Sequence, residues 1–209
     1  MTIRVYSIGV QRHAQLTDVS TPHKPEELGF LQQFGFNPSV TLNNNSYIQS
    51  NGDWFELHGD TPNGNTARIV SQYTFLYGTG LCLEWQSTVQ LGNAILNGYE
   101  TMGFHDNGAP NNLVVTGWRS TAYQHLTMSG GVGTTQALGG SPDWTSAEVE
   151  VKITWSAGNS RVYTDGTLNG TITTNVPTVR LYTYYSCENG ALLASAPSIT
   201  FKETKISEV

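Results

Sequence analysis

The chain predicts an all-β protein, two antiparallel sheets packed as a sandwich, and three observations carry that prediction. Val149, Val151, Ile153 and Trp155 alternate with Glu150, Lys152 and Thr154, and a period of two sends one set to a buried face and the other to water. Turn-forming groups such as Ser50-Asn51-Gly52-Asp53, Gly78-Thr79-Gly80 and Asp165-Gly166 separate the apolar stretches from Val40 onward, the punctuation of hairpins. Charged residues make up only 12% of the 209, while Gly, Asn, Thr, Ser and Tyr are abundant. That length holds one sandwich with a core of its own.

Taken in order, residues 1–37 differ from the remainder and read as an N-terminal arm. Ile3 to Ile8 suits a strand, and a polar stretch follows through Thr21-Pro22-His23-Lys24. Pro25 fits a first helical position and Glu26 and Glu27 fit the positive end of the helix dipole. Leu28, Leu31 and Phe34 then line one face before Gly35, which predicts a short helix over about 25–34. Its apolar stripe exceeds what so short a helix hides alone, so those three residues are candidate contacts to the sandwich or to a protein partner.

Residues 38–209 form the expected sandwich domain. Tyr47–Gln49 and Trp54–His58 flank one turn, and Ala67 to Leu76 is a further strand. In the long strand Leu81 to Leu91, Leu83, Trp85, Val89 and Leu91 face one way and Glu84, Gln86, Thr88 and Gln90 the other. Tyr99 to Phe104, Leu113 to Trp118 and Ala122 to Met128 continue the series, and a Gly-rich loop is expected from Ser129 to Ser141. The hairpin of Val149 to Thr164 follows, then Val179 to Ser186 and Ser198 to Ile206. Strands in this number, about ten or more, need two packed sheets.

Composition excludes several classes of partner. Ten Lys and Arg against sixteen Asp and Glu give a net charge of -6 with no basic stripe, which argues against phosphate-neutralising nucleic-acid binding. No apolar run approaches the ~20 residues of a membrane-spanning helix. The start, MTIRVYSIGVQRH, lacks the apolar core and cleavage site of a signal peptide, although an extracellular or virion-surface location is the expectation. Cys82 and Cys187 are the only cysteines, and the sequence leaves open whether they form a disulfide or are two separate buried thiols. His105-Asp106-Asn107-Gly108 with Asn111 and Asn112 is oxygen-rich. Asp106, Asn107 and Asn111 are therefore candidate calcium ligands, with plain turn chemistry as the other reading. No other cofactor is expected.

The Trp155 strand, the turn and the Tyr163-Thr164-Asp165-Gly166 strand end, with the long strand at Leu81–Leu91, the Met102-Gly103-Phe104 strand and a closing C-terminal strand, come in the order of a concanavalin A-like jelly roll. Residues 38–209 resemble that superfamily of lectins and laminarinase-like glucanases. The resemblance implies a concave sheet with a glycan groove. In the glucanases one strand carries Glu-x-Asp-x-x-Glu on the groove face. The strand expected to correspond reads Glu84-Trp85-Gln86-Ser87-Thr88-Val89, which keeps one carboxylate where a retaining reaction needs two about 5–5.5 Å apart. The chain is accordingly expected not to be an enzyme. Alginate lyases of this fold use Arg, Gln, His and Tyr, types found here at Arg68, Gln72, His125 and Tyr184 without the local motifs.

For glycan contact the candidates are Glu84, Gln86, Gln90 and Arg180 as hydrogen-bonding groups and Trp118, Tyr123, Tyr182 and Tyr184 as stacking faces, with Trp144 as a further aromatic. Core packing is the competing role for each aromatic; Trp85 and Trp155, on apolar faces, are expected to be core. The arm and its apolar helix favour a non-catalytic structural component of a larger assembly, a virion or surface protein with glycan-binding capacity and protein subunits as partners. A free lectin-like module and a polysaccharide hydrolase or lyase are the alternatives.

Overall fold

A computed structural model describes residues 5–8, 36–42, 45–51, 54–62, 64–92, 96–106, 111–138, 144–191 and 195–209. The helix expected over 25–34, with Leu28, Leu31 and Phe34, lies outside these residues, as does Asn107. Every regular element described is a strand: β1 (Val5–Ile8), β2 (Phe36–Leu42), β3 (Tyr47–Asn51), β4 (Trp54–His58), β5 (Thr66–Phe75), β6 (Leu83–Leu91), β7 (Gly98–His105), β8 (Leu113–Arg119), β9 (Ala122–Ser129), β10 (Val132–Ala137), β11 (Val149–Ser156), β12 (Asn159–Thr164), β13 (Thr167–Ile172), β14 (Leu181–Asn189) and β15 (Ser198–Glu208). They form two antiparallel sheets. The first runs β13-β12-β11-β6-β15-β4-β3, with β1 also paired to β15, and the second runs β10-β9-β8-β7-β14-β5-β2.

Alternation does what it predicts. In β6 the side chains of Leu83, Trp85, Ser87, Val89 and Leu91 are buried while Glu84, Gln86, Thr88 and Gln90 are half-exposed, and β11 buries Val149, Val151, Ile153 and Trp155. The second sheet answers with Ile69, Met102, Phe104, Val114, Leu181 and Tyr185, all in one core. Hydrogen bonds cross the interior at the polar ends of its aromatic rings. Trp85 Nε1 donates to Thr183 Oγ1 at 2.7 Å, Trp155 Nε1 to the Pro177 carbonyl at 2.9 Å, and the Tyr185 hydroxyl to Ser87 Oγ at 2.9 Å. These three ring N–H and O–H groups thus keep hydrogen-bond partners inside the core.

The turn at Asp165-Gly166 has positive φ at both residues, 48° and 76°, the geometry of a two-residue hairpin turn. One expectation fails in the Gly-rich stretch, where β10 pairs with β9 through a reversal at Gly130 and Gly131. It is an edge strand whose residues are mostly exposed, so no apolar alternation announced it. The cysteines are also settled. Both are free thiols: Cys82 precedes β6 of the first sheet, while Cys187 points from β14 of the second into the core, its Sγ on the Leu57 carbonyl. Packed sheets lie ~10 Å apart, beyond the reach of a disulfide.

His125, in β9, joins the two layers. Its Nδ1 is 3.0 Å from the Val115 carbonyl and its Nε2 2.8 Å from Ser160 Oγ of β12. Burial holds the ring down to about 4, from an ordinary 6.5, with the Val115 carbonyl opposing. As the pH falls from 6.5 toward 4, the unfolded chain binds a proton on this ring that the folded chain refuses. The stability present above 6.5 is therefore lost across that window, by ~3 kcal/mol from this ring. Urea midpoints between pH 7 and pH 4 check this: in His125→Gln the acid loss should shrink by that amount, and an unchanged pH profile would refute it.

Candidate glycan groove

The outer face of the second sheet carries a feature that solvated sheet faces lack. Val70 of β5, Leu113 and Val115 of β8, Leu126 of β9 and Tyr184 of β14 form a second buried apolar cluster, with Met128 and Tyr182 packed on it. The register explains the cluster. Tyr184 pairs with Val70 on one side and Gly103 on the other, Gly103 with Val115, and Val115 with Leu126. These residues therefore make one row across five strands.

Polar rows lie beside it. Arg68, Ser186, Thr101 and Gly117 follow one another across the sheet, and Glu188, Tyr99 and Arg119 form the next row. On the other side Tyr182 pairs with His105 and His105 with Leu113. The result is a half-enclosed cavity of about 170 Å³, with Arg68, Tyr99, Thr101, His105, Arg119, Tyr184 and Glu188 around an apolar floor.

Its groups hold one another in defined states. Arg68 Nη2 donates to Glu188 Oε1 at 2.8 Å, and Ser186 Oγ donates to the same oxygen at 2.8 Å. Burial pushes the Glu188 carboxyl up, but these two donors and the guanidinium charge outweigh it and hold it below the ordinary carboxylate value. Burial, then the Arg68 charge, pushes His105 down. Burial and the Glu188 charge push the Tyr184 hydroxyl up to about 12, and Thr101 Oγ1 is 2.8 Å from it. Near neutral pH the site thus presents a neutral phenol and a carboxylate locked to a guanidinium. Among the described lining residues Glu188 is the one carboxylate.

The residues singled out from sequence fall on different surfaces. Glu84, Gln86 and Gln90 point outward from β6 in the first sheet, with Glu84 Oε2 3.5 Å from Lys152 Nζ and Gln90 bonded to the Thr145 carbonyl. The cavity is lined from β5, β7, β8, β9 and β14 of the second sheet, whereas β6, with Glu84, belongs to the first. Trp118 and Tyr123 pack against the main core and each other, centroids 5.2 Å apart, and Trp144, fully buried and stacked on Tyr123, has no face for a sugar. Arg180 is exposed just before β14. Only Tyr182 and Tyr184 lie on the groove face, Tyr184 with Arg68 beside it; His105 stands there, whereas His125 faces the core. Asp106 Oδ2 accepts from the backbone N–H groups of Asn111 at 3.0 Å and Asn112 at 2.8 Å, which is turn chemistry. Among the described residues no cluster of His, Cys, Asp or Glu fits a metal ion.

Sequence reasoning missed Tyr99, Thr101, His105, Arg119 and Glu188. A signal existed for Glu188: Tyr182, Tyr184, Ser186 and Glu188 share one parity of β14, whose other parity, Leu181, Thr183, Tyr185 and Cys187, is core.

No family model and no curated protein sequence matches the chain. Solved structures do. A prokaryotic β-1,3-1,4-glucanase (lichenase) derived from a mouse hindgut metagenome is similar with a TM-score of 0.62 at 11% identity, over 76% of this chain and 82% of that one. A Bacillus licheniformis β-glucanase gives 0.57 at 16% identity, over 81% and 92%. The Crh5 transglycosylase, solved in complex with NAG, gives 0.61 at 13% identity, over 85% and 79%. The expectation of a structural building block for a larger assembly is overturned here, since these neighbours are carbohydrate-processing enzymes. Its physical premise weakens too: β1, within the arm, pairs from Val5↔Ser207 to Ile8↔Thr204 with β15 of its own sandwich. The fold is the concanavalin A-like jelly roll of the glucanases.

Proposed function

We propose that this chain is carbohydrate-active and takes a glycan chain across the outer face of the second sheet. One observation supports this above the others: an apolar floor of Val115, Leu126 and Tyr184 under a rim of Arg68, Thr101, His105, Arg119 and Glu188. Sugar rings have apolar faces and hydroxyl edges, and a floor and rim of this kind match both. The glucanase and transglycosylase identities of its fold neighbours agree with it. The test is binding of an array of polysaccharides to the wild type, Arg68→Ala, Tyr184→Phe and, on the opposite face, Gln86→Ala. Loss of one charge-assisted contact costs ~1.5–3 kcal/mol, so Arg68→Ala should weaken binding by about tenfold or more. Gln86→Ala should bind as the wild type does. Binding lost only in Gln86→Ala would move the site to the first sheet and refute the groove.

Cleavage of the bound glycan is a second reading, favoured by Arg68, His105 and Tyr184 meeting in one cavity. A neutral phenol can donate a proton to a glycosidic oxygen, and an imidazole held neutral can accept one. A lone ion-paired carboxylate suits the two-carboxylate retaining reaction poorly. Assays for new reducing ends and for unsaturated, ultraviolet-absorbing ends separate hydrolysis from elimination, and neither product on a polysaccharide that binds would leave a binding module.

A further inference from the structure

The chain is acidic overall, with a net charge of -6, yet its groove is not. Among the described residues, two guanidiniums and an imidazole line it against one carboxylate, that of Glu188. That carboxylate is already committed, at 2.8 Å, to Arg68. Arg119 is the charge left over. Its guanidinium carbon lies over the Tyr99 ring, 5.8 Å from the centroid, and no carboxylate among the described residues stands within ion-pair distance of it. The acid next to it on β7, Glu100, is fully buried on the core side of the strand, where its Oε1 accepts from the Ser198 backbone N–H at 2.9 Å.

Placement makes this more than a stray surface cation. Arg119 pairs across the sheet with Tyr99, and Tyr99 with Glu188, so it lies two strands along the row from the ion pair. Arg68 and Arg119 lie on β5 and β8, separated by β14 and β7, three strand spacings or roughly 14 Å. Both are close enough to favour the ionised form of the Tyr184 hydroxyl that lies between them. A ligand crossing the groove from β5 to β8 meets a neutralised arginine first and an unneutralised one at the far side.

We propose that the glycan taken by this groove is acidic, and that Arg119 receives its carboxylate or sulfate group. Guanidinium binds such groups through parallel N–H···O bonds, with the geometry as well as the charge matched. The half-buried setting of Arg119 reduces screening by solvent. The tyrosine face beneath holds the guanidinium plane in place before the ligand arrives. This inference rests on the glycan groove proposed above.

The experiment uses matched probes that differ in charge: polygalacturonate against its methyl ester, dextran sulfate against dextran, and neutral β-1,3-1,4-glucan. Each is measured with the wild type, Arg119→Gln, Tyr184→Phe and, as an opposite-face control, Lys152→Gln. The expected result is that the acidic member of one pair binds about tenfold or more tightly than its neutral partner. That preference should vanish in Arg119→Gln, persist in Lys152→Gln, and fall with added salt. The pair that discriminates tells carboxylate from sulfate. Equal binding within both pairs, or a preference that survives Arg119→Gln, would overturn the acidic ligand while Tyr184-dependent binding of the neutral glucan kept the groove. Binding of no probe, or binding indifferent to Tyr184→Phe, would sink the groove itself and this inference with it.

Discussion

Trp85→Ala should lower the stability of the sandwich by ~4 kcal/mol, within the usual range for emptying a buried aromatic site. Trp85 is fully buried at the centre of β6, and its ring lies 5.7 Å from that of Tyr185 on the facing sheet. Removing it leaves a void between the layers and strips Thr183 Oγ1 of its donor. The Thr183 hydroxyl cannot recover a partner from water, because Thr183 is fully buried as well. Trp85→Phe separates the two effects. It restores most of the volume and should cost only ~1–2 kcal/mol, chiefly for the lost hydrogen bond. Urea denaturation followed by circular dichroism measures both. A loss below 1 kcal/mol for the alanine variant would mean the layers collapse onto the void, and the central role given to Trp85 would be wrong.

Gly117→Ala should cost nearly as much, ~3–5 kcal/mol, by a different route and with a consequence for the groove. Gly117 has φ of +137°, a conformation that side chains strain to adopt at about 1–3 kcal/mol. A Cβ there would stand 2.0 Å from the Glu100 carbonyl oxygen and 3.1 Å from the Thr101 Cα. Both are backbone atoms of the neighbouring strand, so relief requires β7 and β8 to separate, at a further ~1–3 kcal/mol. Those strands carry Thr101, His105 and Arg119, and the variant should lose glycan binding even where it still folds. Gly130→Ala is the control: φ is +58° there, but nothing lies within 4 Å of the added carbon, so ~1–2 kcal/mol of backbone strain is all that is expected. Equal losses in the two variants would show that strain alone acts at Gly117.

Alternation was enough to find β6, β11 and the Asp165-Gly166 turn, because each is decided within a few residues of chain. It failed at β10, an edge strand whose Val132 is 61% exposed. A strand with no buried face leaves no periodic trace. The candidate site was legible only in fragments. Tyr182 and Tyr184 were placed on one face by parity, but Glu84, Gln86 and Gln90 were grouped with them because the direction of a face cannot be read inside a single strand.

The chain by itself determined the all-β class, the two parities of each strong strand, the core positions of Trp85 and Trp155, and the tight hairpin. All of these follow from local sterics and from the separation of apolar from polar side chains. Only the tertiary structure decided which parity faces the groove and which residues meet there. Arg68 and Glu188 are 120 residues apart in the chain, and what brings them together is the adjacency of β14 to β5 and β7. Strand order is a choice among pairings of similar local quality, settled by how two whole sheets bury their inner faces against each other. The ion pair, the neutral tyrosine and the uncommitted Arg119 are consequences of that global choice.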